Sequence, residues 1–470
     1  MKNKKNKSLI LTVAFFAVLV LFSLAAPAAA SRPSDTPRIR PIIYFHGGSG
    51  SAAQFETQAM RFASNGYPPE YLTSFEYSTA APVPDKEAMN ERIDAFIDDL
   101  LAKTGAKQVD IMAKTWPGAY PSPAYPGITM EYMASSPERA AKIAHACYND
   151  SALSGYTAIV PTLAIWGELG LTPGGNMIGA ENVTLPSQTH VQTDTSTETF
   201  KLAYEFFTGT KPKTTDITPE SNGKIRLAGK AVLYQSNEGV QDASLEIWKV
   251  DGSSGNRSTK KPEAIYQLSG DGSWGPFNAR AGVNYEFAVV RADGIYHFYY
   301  EPFIRSDYLI RLTTLPVGGG IIGFFIDKSD RHSGLAILRN KEFLGDQGAN
   351  NDILKINGIN VATAALCPLS KNVIGLFAFD RWSDGVSDLS APLFPFNFVP
   401  FLTAADFYLR ASDPPKGVIS LELTPRGGDG EIQVINIPNW PSSKHFISVQ
   451  LNDYLQKDAG RNHRRNHWPP

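Results

Sequence analysis

Cysteine is scarce in this chain, and clusters of residues that hold metals or nucleic acids are missing. Cys147 and Cys367 are the only cysteines among 470 residues, and their wide separation favours two separately buried thiols over a disulfide. The eight histidines are scattered, and no Cys/His group has the spacing of metal ligands. No basic stripe or RNA-binding motif occurs, and the formal net charge is −2. We therefore expect no metal, no cofactor and no nucleic-acid partner.

The first 30 residues have the pattern of a secretory signal peptide. Four lysines precede an apolar run over residues 9–24, and the alanines at 28–30 form a small-residue cleavage site. An uncleaved anchor helix is the alternative, although the apolar run is short for a membrane span. Cleavage would remove four lysines and no acidic residue, which would leave a net charge of −6. We expect a protein that is secreted, periplasmic or held at the cell surface.

Residues 31–210 alternate strand and helix patterns, which indicates an α/β domain. Asp85 opens a helix with an apolar stripe that ends at Gly105, and Ser51 can cap a shorter helix that ends near Gly66. Strands that alternate with helices form a parallel sheet covered on both faces. The strand-like runs lie at 41–45, 71–77, 109–112, 147–150 and 161–166, and further helical patterns begin at Ser136 and Thr197.

The composition changes after residue 210. Residues 211–221 form a polar linker, and short alternating apolar runs then lie between Gly, Asn and Asp turns. This pattern predicts a β-sandwich module over 222–302 and a second β module over 303–457. Residues 458–470 are predicted to be disordered. The predicted fold class is therefore an α/β sheet followed by one or two all-β modules.

Phenylalanine and proline are concentrated at residues 393–402 of the second β module. The prolines prevent a regular helix there. If the phenylalanines are exposed, the segment is a patch for lipid or acyl chains; if they are buried, it is part of a β core. The sequence by itself favours the core.

One apolar strand, residues 41–45, leads directly into His46-Gly47-Gly48. In α/β-hydrolases such a turn offers backbone N–H groups to the oxyanion that develops during ester hydrolysis. That fold then requires a nucleophile after a central strand, followed along the chain by an acid and a histidine. Asp150 and His190 stand in that order, each near the end of a predicted strand. In isolation, each of them is more commonly a cap or a satisfied polar residue.

The nucleophile has no recognisable motif, because Gly-x-Ser-x-Gly occurs nowhere in the chain. Thr115 stands where the nucleophile belongs after the strand at 109–112, and Trp116 offers a second oxyanion N–H. However, a β-branched residue resists the strained turn of a nucleophile elbow, and Pro117 occupies a position that favours glycine. Ser122 fits less well because Pro123, which follows it, has no N–H to donate.

Several longer segments carry a family resemblance: residues 46–52, 54–56, 60–67, 135–142, 182–185, 189–192 and 211–217. In these segments the chain resembles the secreted lipase/esterase family that joins an α/β-hydrolase domain to a C-terminal lipid-binding β region. The resemblance covers residues 39–217 and, more loosely, the β region. It implies that Asp150 is the triad acid, that His190 is the histidine and that Gly48 supplies one oxyanion N–H. It also implies an acyl-ester or lipid substrate, contact with a membrane or lipid-droplet surface, and a lipid patch at 393–402.

The missing nucleophile leaves three explanations open: a local reading-frame error, a catalytically inactive homologue, and Thr115 as a slow nucleophile. The favoured function is a secreted carboxylic ester hydrolase that works through an acyl-enzyme. The alternative from another class is an inactive homologue that binds lipid or glycan outside the cell. A purely structural envelope protein is the third hypothesis, and only the β modules favour it.

Overall fold

The computed structural model describes residues 39–80, 85–114, 127–428, 430 and 432–452. The predicted signal peptide and the predicted disordered tail lie outside the described residues. The same is true of Thr115, Trp116 and Ser122, so the predictions about the nucleophile segment are not addressed by the structure.

The first layer is a six-stranded sheet in which every paired strand is parallel, in the order β2-β1-β3-β4-β5-β6. Its elements are β1 (Ile42–Phe45), α1 (Glu56–Ser64), β2 (Leu72–Phe75), α2 (Lys86–Thr104), β3 (Val109–Ala113), α3 (Ile128–Ser135), α4 (Pro137–Ala141), β4 (Ile143–Asn149), β5 (Thr162–Leu169), β6 (Glu181–Thr189), α5 (Gln192–Thr195) and α6 (Thr197–Thr208).

Helices cover both faces of this sheet. Ile43 and Phe45 of β1 share one buried cluster with α2 and α3, whereas Ile42 and Tyr44 share another with α1 and α6. Side chains alternate between the faces of a strand, so a strand buried on both faces is apolar throughout. The uninterrupted apolar run of β1 has this cause.

The helix ends test the predicted caps. The Asp85 carboxylate accepts a hydrogen bond from the N–H of Ala88 at 2.8 Å, and α2 ends at Gly105 with φ +69°. Both caps are therefore confirmed. The prediction for Ser51 is wrong, because its side chain makes no capping bond and the chain first forms a 3-10 turn over Ala52–Phe55. A carboxylate from another element serves this turn instead: Glu76 accepts from the N–H of Ala52 at 3.1 Å.

The remainder of the described chain is almost entirely β structure, in sheets of three, eight and four strands. These sheets have the orders β10-β7-β13, β18-β17-β14-β21-β12-β11-β8-β9 and β16-β15-β19-β20. The elements are β7 (Lys224–Leu233), β8 (Ala243–Lys249), β9 (Ala264–Leu268), β10 (Ser273–Arg280), β11 (Tyr285–Arg291), β12 (Gly294–Tyr300), β13 (Asp307–Thr314), α7 (Gly320–Phe324), β14 (Leu335–Arg339), β15 (Ile353–Ile356), β16 (Ile359–Asn360), β17 (Gly375–Phe379), β18 (Leu402–Asp406), β19 (Val418–Thr424), β20 (Gln433–Pro438) and β21 (His445–Leu451).

An α/β sheet followed by all-β sheets confirms the predicted fold class. The eight-stranded sheet takes strands from both sides of residue 302, since β12 pairs in parallel with β21. The division into modules at 222–302 and 303–457 stays a sequence-based prediction, and the sheet is continuous across it.

The segment at 393–402 contains both predicted environments. Phe396 is buried, whereas Phe394 and Phe398 are 60% and 75% exposed. Phe324 of α7 is also exposed, and a chain of ring contacts runs from it through Phe325 to Phe394. The segment therefore contributes to the core and to an apolar surface patch at once.

Candidate active site

The predicted site residues follow strands of one parallel sheet. The strand order reverses at β1, which lies between β2 and β3, and ligands of open α/β sheets bind at such a reversal beyond the carboxyl ends of the strands. The His46-Gly47-Gly48 turn follows β1, Lys114 follows β3, Asp150 follows β4 and His190 follows β6. The topology thus brings residues far apart in sequence to one edge of the sheet.

Asp150 and His190 are in direct contact. His190 Nδ1 lies 2.7 Å from Asp150 Oδ2. The carboxylate also accepts backbone N–H groups, with Oδ1 2.8 Å from Gly167 N and Oδ2 3.0 Å from Leu171 N. Asp150 has φ +46°, an uncommon backbone conformation for a non-glycine residue. Three donors therefore fix a buried carboxylate in a single orientation toward the imidazole.

Charge around this pair favours an ionised acid and a neutral base. Burial raises the pKa of Asp150, but the hydrogen bond from His190 and the positive charge of Lys114 lower it further, to below its ordinary value. Burial and Lys114 lower the pKa of His190, which its contact with Asp150 only partly offsets. At neutral pH the imidazole is therefore neutral, with Nδ1–H donated to Asp150.

The other ring nitrogen, Nε2, has no hydrogen-bond partner among the described residues. The His190 side chain is 12% exposed, and its ring lies 6.0 Å from the ring of Phe401. A neutral imidazole in this tautomer has a lone pair on Nε2 and can accept a proton there.

The glycine turn after β1 is fixed by its own hydrogen bonds. Gly47 N donates to Gln54 Oε1 at 2.8 Å, Ser49 N to Thr79 Oγ1 at 2.9 Å, and Gly50 N to Gly47 O at 3.1 Å. Within the described ranges, no acceptor lies in hydrogen-bonding geometry with Gly48 N–H. This N–H can therefore donate to a ligand.

Contacts from the β region hold the same turn. Asn237 Nδ2 donates to Gly50 O at 2.9 Å and to Tyr77 O at 3.1 Å. His46 Nε2 lies 3.3 Å from Glu76, whose carboxylate accepts from Arg311 Nε at 2.6 Å. His46 is thus a buried structural anchor of the turn.

Lys114 is a site residue that the sequence analysis missed. Its buried ammonium donates to Asn149 O at 2.9 Å, to His190 O and to Thr193 Oγ1 at 3.2 Å. It also lies 3.5 Å from Asp194, whose pKa burial raises to about 7 despite the neighbouring cation. Lys114 therefore joins the ends of β3, β4 and β6. Its place directly after a strand end was a weak signal, since nothing in the sequence indicates which carbonyls a lysine will meet.

Gly170 also belongs to the site. A Cβ atom built on Gly170 would lie 2.3 Å from Asp150 Oδ2, so only a residue without a side chain fits beside the carboxylate.

In the part of the chain that the structure describes, no three His, Cys, Asp or Glu side chains are grouped as a metal site requires. No helix of that part is long and apolar enough to cross a membrane.

Comparison with known proteins gives one informative match. Residues 223–316 match the family model of the Lipase C-terminal domain, and residues 321–455 match a second model, also of a C-terminal domain. A search of curated proteins found no match.

Two solved structures of the phospholipase PlaB from Legionella pneumophila were also found. The structure in complex with thio-NAD is 10% identical in sequence to this chain, and the other is 8% identical. Each comparison covers 88% of this chain and 93% of that chain with a TM-score of 0.21, which is too low to support a common fold. The likeness to lipases that these comparisons show is therefore confined to residues 223–316.

Proposed function

We propose that this protein is a secreted carboxylic ester hydrolase of the lipase type. The observation that carries the proposal is the 2.7 Å contact between His190 Nδ1 and Asp150, with Nε2 left without a described partner. The match of residues 223–316 to the Lipase C-terminal domain supports an acyl-ester or lipid substrate. Secretion rests on the signal pattern of residues 1–30.

The chemistry proceeds through an acyl-enzyme. His190 Nε2 takes the proton of the nucleophilic hydroxyl as its oxygen attacks the ester carbonyl carbon. Gly48 N–H donates to the oxyanion, and Asp150 keeps the imidazole in the required tautomer and stabilises its protonated form. The intermediate collapses, the alcohol leaves with the proton from His190, and water releases the acid by the same two steps.

The nucleophile belongs at position 115, with the N–H of Trp116 as the second oxyanion donor. Both residues lie outside the described residues, so these roles rest on the sequence. The nucleotide sequence of codons 112–135 separates the three explanations. A frame that encodes Gly-His-Ser-x-Gly indicates an error in the protein sequence, and its absence leaves an inactive homologue or Thr115.

Hydrolysis of p-nitrophenyl acyl esters by the purified protein tests the proposal. We expect His190→Ala to lower kcat on the order of 10⁴-fold or more, since a triad functions as a unit. Asp271→Asn, which removes an exposed carboxylate of the β region, is the matched control and should leave the rate unchanged. Equal rates for the wild type and His190→Ala would remove His190 from the mechanism.

A second candidate, a non-catalytic extracellular lipid-binding protein, is favoured by the absence of Gly-x-Ser-x-Gly and by the exposed rings of Phe324, Phe394 and Phe398. This function predicts saturable liposome binding without labelling by a fluorophosphonate probe. Labelling that disappears in His190→Ala would decide for the hydrolase, and labelling of neither protein together with liposome binding would decide for the binding protein.

A further inference from the structure

A carboxylate from the β region reaches the turn that carries His190. Glu342, which follows β14, is completely buried. Its side chain accepts from Val191 N at 2.6 Å, from Gln192 N at 3.1 Å and from the hydroxyl of Thr189. These three donors lie on both sides of His190 in the sequence, so one carboxylate holds the backbone that enters and leaves the histidine.

Buried arginines fix the carboxylate in turn. Arg426 Nη2 lies 4.0 Å from Glu342 and donates to Thr189 Oγ1 at 3.1 Å and to Gln192 Oε1 at 3.0 Å. Asp352 pairs with Arg426 at 2.6 Å and with Arg339 at 2.8 Å. Two arginines and two carboxylates thus meet in a buried cluster, together with the ammonium of Lys341, which donates to Arg426 O at 3.2 Å. This packing gives Glu342 little freedom to move.

We propose that Glu342 is a positioning residue for His190. This inference rests on the proposed function and extends it, because it makes the β region a part of the active site. A hydrogen-bonded imidazole must keep its Nδ1–H directed at Asp150 while Nε2 faces the nucleophile. That orientation depends on the backbone at residues 189–192. Glu342 holds this backbone by accepting hydrogen bonds from the N–H groups of Val191 and Gln192.

Besides its hydrogen bonds, Glu342 acts on His190 through its charge, which raises the pKa of the imidazole. The charged groups facing the imidazole are Asp150, Lys114 and Glu342; burial and Lys114 lower the pKa of His190, and both carboxylates raise it. A neutral side chain at 342 removes one of the two opposing contributions. The pKa of His190 should then fall further below its ordinary value.

The test uses the full chain with ¹⁵N-labelled histidine and Glu342→Gln. In the wild type we expect a downfield proton resonance from His190 Nδ1–H, bonded to Asp150. In Glu342→Gln we expect that resonance to broaden or disappear and the pKa of His190 to fall. If the wild type hydrolyses esters, kcat should also decrease, on the order of 10²-fold, with little change in KM.

Glu286→Gln is the matched control. Glu286 is an equally buried carboxylate that bonds Arg257 and His297 in the eight-stranded sheet, far along the chain from His190. It should lose comparable stability without changing the His190 resonance. Glu342→Asp, which keeps the charge but shortens the side chain, provides a second variant if Glu342→Gln does not fold. In Glu342→Asp the pKa of His190 should stay close to its wild-type value, whereas the Nδ1–H resonance of His190 should change more.

The outcomes separate the two proposals. A wild-type protein without an Asp150-bonded proton on His190 would overturn the proposed function. A wild-type protein that has this proton, unchanged in both Glu342 variants, would overturn the positioning role and leave the hydrolase proposal intact.

Discussion

At the scale of single residues, the candidate site depends on side chains that their hydrogen bonds hold in one orientation. Asp150 adopts φ +46° and accepts from His190, Gly167 and Leu171. Strain of this kind persists only where surrounding contacts determine it, and it is concentrated at functional sites. Lys114 donates to the backbone carbonyls of Asn149 and His190, and its charge lowers the pKa of both Asp150 and His190.

The pH dependence of ester hydrolysis follows from this arrangement. The pKa of His190 lies below 6.5 because of burial and Lys114, so the neutral, proton-accepting form predominates already in mildly acidic solution. We expect kcat/KM to rise with pH through a midpoint below 6.5 and then to stay level through neutral pH. A pH–rate profile between pH 4 and 8 measures this midpoint. A midpoint above 6.5 would contradict the electrostatic account.

At the scale of elements, local signals in the sequence predicted the ends of several helices and strands. Asp85 and Gly105 bound α2 as expected, because a capping carboxylate and a left-handed glycine act on their own few residues. The predicted cap at Ser51 was wrong because the turn there is held by Glu76 and Asn237, which lie elsewhere in the sequence. The contact between Asp150 and His190 could be predicted only from the order of strands in the resembling fold.

The turn between β5 and β6 gives a prediction at this scale. In Gly170→Ala the new methyl group would overlap Asp150 Oδ2, so the carboxylate must shift. We expect kcat to fall on the order of 10²-fold, the effect of a displacement of about 1 Å in an active site. Steady-state kinetics and thermal unfolding of the variant measure the effect.

Gly174→Ala is the control from the same turn. Gly174 has φ +67°, and a Cβ atom added there would meet no other atom within 4 Å, so alanine costs about 1 kcal/mol of stability without contact with Asp150. Equal losses of kcat in the two variants would show that the effect comes from the turn as a whole and not from Asp150.

At the scale of the molecule, the β region and the α/β sheet share their polar contacts. Asn237 and Arg311 hold the glycine turn, and Glu342 and Arg426 hold the histidine turn. Within the β region, β12 pairs on one side with β11 and on the other with β21, which is nearly 150 residues further along the chain. Such long-range pairing favours folding of the whole region together.

A truncated chain tests this cooperativity. We expect a fragment of residues 31–302 to be aggregated or only partly folded, since it leaves the β12 edge and the ring of Tyr296, stacked on Phe446 in the full chain, without partners. Circular dichroism and size-exclusion chromatography, with residues 31–470 as the reference, measure the outcome. A monomeric fragment with a cooperative thermal transition would contradict the expectation.

The amino-acid pattern alone was enough to predict the alternation of strands and helices, the apolar strand before His46, and the order in which Asp150 and His190 follow. These properties are local or depend on the order of residues along the chain, so they can be predicted from hydrophobic periodicity, capping residues and residue order. The roles of Lys114, Asn237 and Glu342 in holding the site came from the folded structure. The partners of a buried polar or charged side chain depend on which distant backbone groups the packed sheets bring within about 3 Å of it.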